Sequence, residues 1–435
     1  MAALHGQLQI VEYLLQHIEG DINPSASDGV TPLHDAAQGG HLNVVSYYTN
    51  ILTNPNPGKL TNDQFRGRTP LHMAAYSRHL NVYKLIMGCV SDKNPLDIEG
   101  TTPLLIAACK GNFEVCKLIV THVDYKNHTD NYGHTPLHAA ASEGYFEICK
   151  LFLENVDTKN PADSNGITPL HYAAQEGHLN ICKLIIDLLN DKNSSDIFGG
   201  TPLHYAANAG HFEICKLFIA HTNDKNPSRN DGATPLHIAA RKGHLAICKL
   251  IIDCLDDKNP SDNEGITPLH GAAEKGHLEI CKLFLEIVFD KNPADNEGDT
   301  PLHKAAQEGH LKVCKLIIDC LHDKNPSDNN GNTPLHDAAC DGNLEVCKLF
   351  IENVSNKNPA DVDGDTPLHC AALQGHFNVC KLILENVIVK NPSNDKGETP
   401  LSIATRHGHK DICKLFTKRK SLDVNTDQKA KLAKK

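Results

Sequence analysis

Apolar positions along this chain come in two alternating forms. The first is sparse, a Leu followed by a small Ala pair, as in Leu170 with Ala173 and Ala174. The second is dense, as in Leu179, Ile181, Cys182, Leu184, Ile185 and Ile186. The sparse form predicts a short helix whose neighbours approach closely over the Ala pair. The dense form is apolar nearly all round and predicts a helix buried between neighbours. Gly177 lies between them, the residue type that closes a helix in the left-handed conformation. Polar stretches such as Asp187 to Asp196 separate each dense segment from the next sparse one.

Each sparse helix opens on the same four residues. Thr-Pro-Leu-His starts at Thr31, Thr69, Thr135, Thr168, Thr201, Thr234, Thr267, Thr300, Thr333 and Thr366, with variants ending in Leu105 and Ser402. From Thr69 onward the starts are 33 residues apart, and only the first interval is longer, at 38. Thr suits an N-cap, where its hydroxyl can accept from an unpaired backbone N–H. Pro suits the next position, where its missing N–H had no partner. Two residues before every Thr sits a Gly, from Gly29 to Gly397, as a tight hairpin turn with positive φ demands. Turn, cap and helix recur twelve times.

The unit Thr267-Pro268-Leu269-His270-Gly271-Ala272-Ala273-Glu274-Lys275-Gly276-His277-Leu278-Glu279-Ile280-Cys281-Lys282-Leu283 closely resembles the ankyrin repeat, in its period and in its TPLHxAA…GH core. The resemblance covers nearly the whole chain. It implies a mainly α fold, an ankyrin-repeat solenoid of stacked helix-turn-helix units with short β-hairpin loops. One departure stands out, since the Gly-Ala-Asp usual after the second helix is replaced here by stretches such as Asp187-Leu188-Leu189-Asn190-Asp191. A slightly different helix exit is expected.

This organisation sets the expected boundaries. Residues 1–30 form a truncated N-terminal repeat, because Met1-Ala2-Ala3-Leu4-His5-Gly6 enters the pattern midway, without turn or cap. Its missing part leaves apolar surface bare, as in a chain that begins further upstream or one that meets a neighbouring domain. Residues 31–417 hold twelve repeats, the first with a five-residue insertion that must loop out after Asn54-Pro55-Asn56-Pro57. Residues 418–435 are a basic tail expected to be disordered.

Composition removes several classes of function. The 16 cysteines contain no C-x-x-C pair, and ten recur at one position inside the second helix, from Cys116 to Cys413. Reduced, buried thiols are expected there, with neither disulfides nor a metal site. Of the 27 histidines, ten belong to the Thr-Pro-Leu-His motif and nine lie seven residues later, such as His41, His178 and His211. A catalytic or ligating role would gather them at one place; the repeat grid instead suggests backbone-linking imidazoles. The recurrent lysines, Lys84 to Lys414, read as a solvated face, with Glu147–Lys150 and Lys183–Asp187 one turn apart.

The last segment is different. Residues 414–435 carry a net +6, which leaves −17 for the rest of a chain whose total is −11. An array that acidic does not suit nucleic acid, whose phosphates need neutralising. Arg419 and Lys420, then Lys431, Lys434 and Lys435 after ten residues, resemble a bipartite nuclear import signal; a plain solvated tail is the alternative. No apolar run is long enough to span a membrane and no signal peptide opens the chain, so an intracellular location is expected, cytoplasmic in preference to nuclear.

No phosphate-cradling loop or nucleophile motif is present. The expected function is a non-enzymatic scaffold, a monomeric solenoid without cofactor that binds an unknown protein partner on its concave face. Alternatives are the recognition region of a larger enzyme, channel or receptor, or an inhibitor that occludes a partner's active site. The residues that vary between otherwise similar units point to the surface: the two before the turn Gly, the one before Thr and the one after His. They are polar across 300–398 (Asp299, Lys304, Asn332, Asp337, Asp365) and apolar between 165 and 238 (Ile167, Tyr172, Ile197, Phe198, Tyr205, Ile238). An apolar patch of this kind marks interfaces if it faces solvent. Packing of the two tyrosines along neighbouring first helices is the other reading.

Overall fold

The computed structural model describes residues 1–26, 29–58 and 67–416. The chain divides into two compact units, Met1–Asn223 and Asp224–Lys435. Each is all-helical among the described residues, and each repeats one pair of antiparallel helices. In the first unit the helix Leu8–His17 precedes six pairs, of which Pro169–Glu176 with Leu179–Ile186 is representative. In the second unit the pairs run from Pro235–Lys242 with Leu245–Ile252 to Pro400–Arg406 with a last helix at 410–416. Within each unit a first helix packs on the first helices of its neighbours and on its own partner. This is the stacking that gives a repeat protein one continuous core.

The Ala pairs are fully buried at these contacts, as at Ala173, Ala174, Ala272 and Ala273. The second helices bury Ile181, Cys182, Ile185 and Ile186 and their equivalents, while the lysine at that register stays in solvent at Lys117, Lys150 and Lys183. Lys282–Glu279 and Lys414–Asp411 close ion pairs on that face. Fully buried Phe152, Phe218, Phe284 and Phe350 alternate along the array with Ile185, Ile251, Ile317 and Ile383. A large ring and a smaller aliphatic side chain thus occupy this register in alternate repeats.

The cap is more elaborate than a hydroxyl alone. The Thr168 amide donates to His171 Nδ1 at 3.1 Å, and the Thr168 hydroxyl meets the same nitrogen at 2.9 Å. The pair forms a reciprocal capping box with the imidazole in the place usually taken by Glu. Where Leu105 replaces the His, Thr102 Oγ1 accepts from the Leu105 amide at 3.1 Å instead, the simple cap expected from sequence.

The Lys-Asn-Pro segment explains the altered helix exit. Lys291 Nζ reaches back to the carbonyls of Leu285 and Val288, both at 2.5 Å, and so closes the C-terminus of Leu278–Ile287. The next residue, Asn292, accepts from the amide of Leu302 at 3.1 Å, satisfying the start of the following first helix. Lys159 and Asn160 do the same four repeats earlier.

The hairpins are tighter than expected. Each has a turn but no strand among the described residues. Asp163 N–H donates to Ile167 O at 2.8 Å, and Asp163 Oδ1 accepts from the amides of Asn165 and Ile167. The carboxylate therefore takes amides that a second strand would have offered to a ladder. Adjacent tips join by one backbone bond, Ile197 N–H to Asn165 O at 3.0 Å. The insertion beyond Gly58 and the basic tail, including Arg419, Lys420, Lys431, Lys434 and Lys435, lie outside the described residues.

Candidate interaction surface

The chemistry-bearing side chains are bound into the framework. Because Nδ1 of each motif histidine accepts a backbone amide, it carries no proton, and the ring is the neutral Nε2–H form. Nε2–H then donates to a carbonyl of the next repeat: His72 to Thr101 O and His171 to Gly200 O, both at 3.0 Å, and His138 to Ile167 O at 3.1 Å. The second set points the other way, with His178 Nε2 donating to Ser142 O at 3.0 Å and His310 Nε2 to Glu274 O at 2.9 Å. Each of these rings covers the left-handed Gly of the preceding repeat, where a Cβ on Gly177 would stand 2.7 Å from His211. Burial pushes His72 and His138 down to about 4, and it lowers His171, His237, His270, His303, His336 and His369 as well.

Nine of the ten helix cysteines are buried; Cys413, in the last pair, is half-buried. Burial pushes the thiols of Cys149, Cys182, Cys215, Cys248, Cys281, Cys314, Cys347 and Cys380 up to about 12. Since the thiolate is the reactive form, a thiol reagent should label these eight slowly in the native protein. Mass spectrometry should find exposed Cys89, Cys254 and Cys320 labelled first. Rapid labelling of the helix set would contradict the packing.

Several solvent-facing apolar side chains sit at the turn tips of the first unit, while the second unit exposes Phe289, Val362, Ile388 and Val389. Ile197 and Phe198 are 55% and 60% exposed, and Ile98 and Tyr132 are 60% and 63% exposed. Leu96 is exposed beside them. The corresponding tips of the second unit carry Asn263, Glu264, Asn296, Glu297, Asn329 and Asn330, and before Gly364 the exposed Val362 with Asp363. Sequence reading confined the apolar segment to 165–238; the same two-before-Gly rule applied at Gly100 and Gly133 finds Ile98 and Tyr132.

The other proposed residues are half-buried: Ile167, Tyr172 and Tyr205 in the first unit and Ile238 in the second. The tyrosines are anchored. Tyr205 O–H donates to Asp196 Oδ2 at 2.7 Å, with its ring edge-on to His171 at 5.1 Å. Tyr172 O–H lies 3.3 Å from Asp163 Oδ2 and 3.3 Å from His134 Nε2. Burial, then Asp163, pushes the Tyr172 hydroxyl up to about 12, so it remains a donor. These two rings brace the turns from behind, while Ile197 and Phe198 are exposed at the tip.

The second unit is acidic where the first is apolar. Asp299 binds Lys304 at 2.5 Å, and Lys304 also lies 3.6 Å from Asp295. Asp365 accepts from Asn394 Nδ2 at 2.8 Å. Asp337 is the exception. Burial, then Asp299 and Asp328, pushes its carboxyl up to about 8. With His303, the carboxylates of Asp299 and Asp337 bring three ligand-type atoms within 4.8 Å of one another.

No helix among the described residues is long and apolar enough to cross a membrane. A family profile described as ankyrin repeats (3 copies) matches the chain in eight overlapping stretches, residues 1–48, 48–130, 77–161, 122–196, 187–262, 246–328, 316–392 and 353–430. A search of curated proteins found no match. The matched stretches, the twelve capped helix starts and the helix pairs stacked within each unit place the chain in the ankyrin repeat family.

Proposed function

We propose that this protein is a non-enzymatic interaction scaffold whose recognition surface is the row of turn tips in its first unit. Ankyrin repeats are protein-interaction domains, and the finer assignment is supported by one contrast. Tips in the first unit carry exposed Ile98, Tyr132, Ile197 and Phe198, whereas those in the second carry mainly Asn and acidic residues with the single apolar Val362. Both sets share the same turn, with positive φ at Gly133 and Gly199 as at Gly265 and Gly298. Exposed aromatic and aliphatic side chains on a rigid frame are what interfaces use as anchors. The partner is a protein segment with an apolar face. Ile167, Tyr172 and Tyr205 hold the turns in place, and Ile238 offers a similar half-buried position in the second unit.

Replacing Ile197 and Phe198 together with Ser should remove a partner captured by the wild-type chain and leave the unfolding midpoint nearly unchanged. Surface substitutions that touch no packed group shift stability by only about 0.5 kcal/mol. Quantitative comparison of crosslinked partners from native cells would read this out, with Glu264→Ala plus Glu297→Ala as the matched control. Equal capture by the Ser variant and the control would reject the tips as the site.

A further inference from the structure

Two cysteines outside the second-helix set lie on facing positions of neighbouring first helices. Cys340 directly follows the Ala pair of its repeat and ends the helix Pro334–Cys340. Cys370 directly follows the motif histidine of the next repeat, in the helix Pro367–Gln374. Three repeats earlier the same two positions hold Arg241 and Gly271. There a Cβ on Gly271 would stand 3.2 Å from the Arg241 Cβ and 3.5 Å from its Cα. A disulfide holds its two Cβ atoms about 3.5–4.5 Å apart, so the backbone spacing at this register suits a bridge. The side chains show the same facing arrangement. Gln374 Nε2–H donates to Cys340 Sγ at 3.9 Å, and Gln374 lies four residues after Cys370, on the same face of its helix. Cys340 therefore looks onto the face that carries Cys370, and both thiols are half-buried. The two positions do not demand cysteine, since elsewhere in the second unit they hold Glu274 with Lys304 and Gln307 with Asp337.

We propose that Cys340 and Cys370 form a reversible disulfide, made by exchange with a small disulfide such as oxidised glutathione, that staples two neighbouring repeats. The Cys340 thiolate attacks one sulfur of the oxidant and displaces the other as a thiolate. Cys370 then loses its proton and attacks Cys340 Sγ in the mixed disulfide, expelling the second small thiolate. Two protein thiols are oxidised, one small disulfide is reduced to two thiols, and the protons of Cys340 and Cys370 pass to the departing sulfurs. Cys340 is the entry point. Burial, then Asp341, raises its thiol, but the contact from Gln374 favours the thiolate. Burial, then Cys340 and Asp365, pushes the Cys370 thiol up to about 12, which suits it to the later, resolving step. The bridge ties Pro334–Cys340 to Pro367–Gln374 and so holds the two repeats against local opening.

The test uses the full chain, reduced and then equilibrated with glutathione buffers of increasing oxidised fraction. Peptide mapping by mass spectrometry should find Cys340 joined to Cys370. The oxidised chain should unfold at a higher denaturant concentration, because a cross-link that suits the native geometry restricts the unfolded chain. Cys370→Ser should lose the bridge and keep glutathione on Cys340, whereas Cys320→Ser, at an exposed thiol, should bridge as wild type does. Wild type supplies a second measure that needs no variant. Its bridging equilibrium should lie roughly tenfold or more higher in the native chain than in urea, where the alignment is lost. Equal equilibria in the two states would overturn the proposal. So would a native chain that stays reduced at the oxidising end, or one that carries glutathione on Cys340 without closing the bridge.

Discussion

Acidification from pH 7 to pH 4 should lower the unfolding midpoint of this protein steeply. The motif imidazoles are held neutral, with Nδ1 accepting one amide and Nε2–H spanning to the next repeat. An unfolded histidine titrates near 6.5, whereas burial holds His72 and His138 at about 4. Above pH 6.5 both states are neutral and the full contribution to stability is present. Below it the unfolded chain takes up protons that the fold refuses, so stability falls with pH until the folded state also protonates near 4. At 1.36 kcal/mol per pKa unit, each of these two rings accounts for about 3 kcal/mol of loss. The six others with lowered values add to it. His138→Leu, which imitates Leu105, should remove one proton from this dependence and make the slope shallower. Denaturation midpoints that agree between pH 7 and pH 4.5 would show that the rings are charged or exposed in the fold.

Gly265→Val should be among the most damaging single substitutions in the second unit. Gly265 has φ +80°, and a Cβ there would stand 2.8 Å from Asn296 Oδ1 and 2.9 Å from the Asn296 amide. The left-handed backbone alone is unfavourable by about 1–2 kcal/mol for an L residue. Intrusion on the next repeat adds roughly 1–3 kcal/mol. Gly397→Val isolates the first effect, since φ is +72° there but nothing lies within 4 Å. Thr267→Ala, which removes half of a reciprocal cap, should be milder at about 1 kcal/mol. Chemical denaturation should rank Gly265→Val well below the other two. An equal effect of the two Gly variants would mean that adjacent turns do not touch.

The stacking was legible because it rests on local rules repeated without error. Pro169 needs no amide, Gly166 and Gly177 take positive φ, and the Ala173-Ala174 pair permits close approach. Each of these follows from residue type alone. What could not be read depended on partners brought together from elsewhere in the chain. The acceptor of the His171 Nε2–H is the carbonyl of Gly200, 29 residues on, and the Tyr172 hydroxyl finds Asp163 behind its own turn. Exposure is the same kind of quantity. Phe198 and Tyr205 look alike in sequence, yet one projects from a tip and the other is tied down by Asp196. Asp299 and Asp337 lie 38 residues apart, and only the stacking of neighbouring repeats shows that both carboxylates come close to His303. The lysine caps escaped notice for a related reason, because Lys291 looks like a linker residue until its reach back to Leu285 is seen.

The central claim is that histidines which could serve catalysis are instead backbone connectors, leaving recognition to the turn tips. Long-range ¹H–¹⁵N correlation of the imidazole nitrogens at pH 7, with the nine rings His34, His72, His138, His171, His237, His270, His303, His336 and His369 assigned by substitution, tests it most directly. Each of the nine has a next-repeat carbonyl within 3.3 Å of Nε2. All nine should appear as neutral Nε2–H tautomers with slowly exchanging protons. Imidazolium signals, Nδ1–H tautomers or rapid exchange across the set would contradict the account.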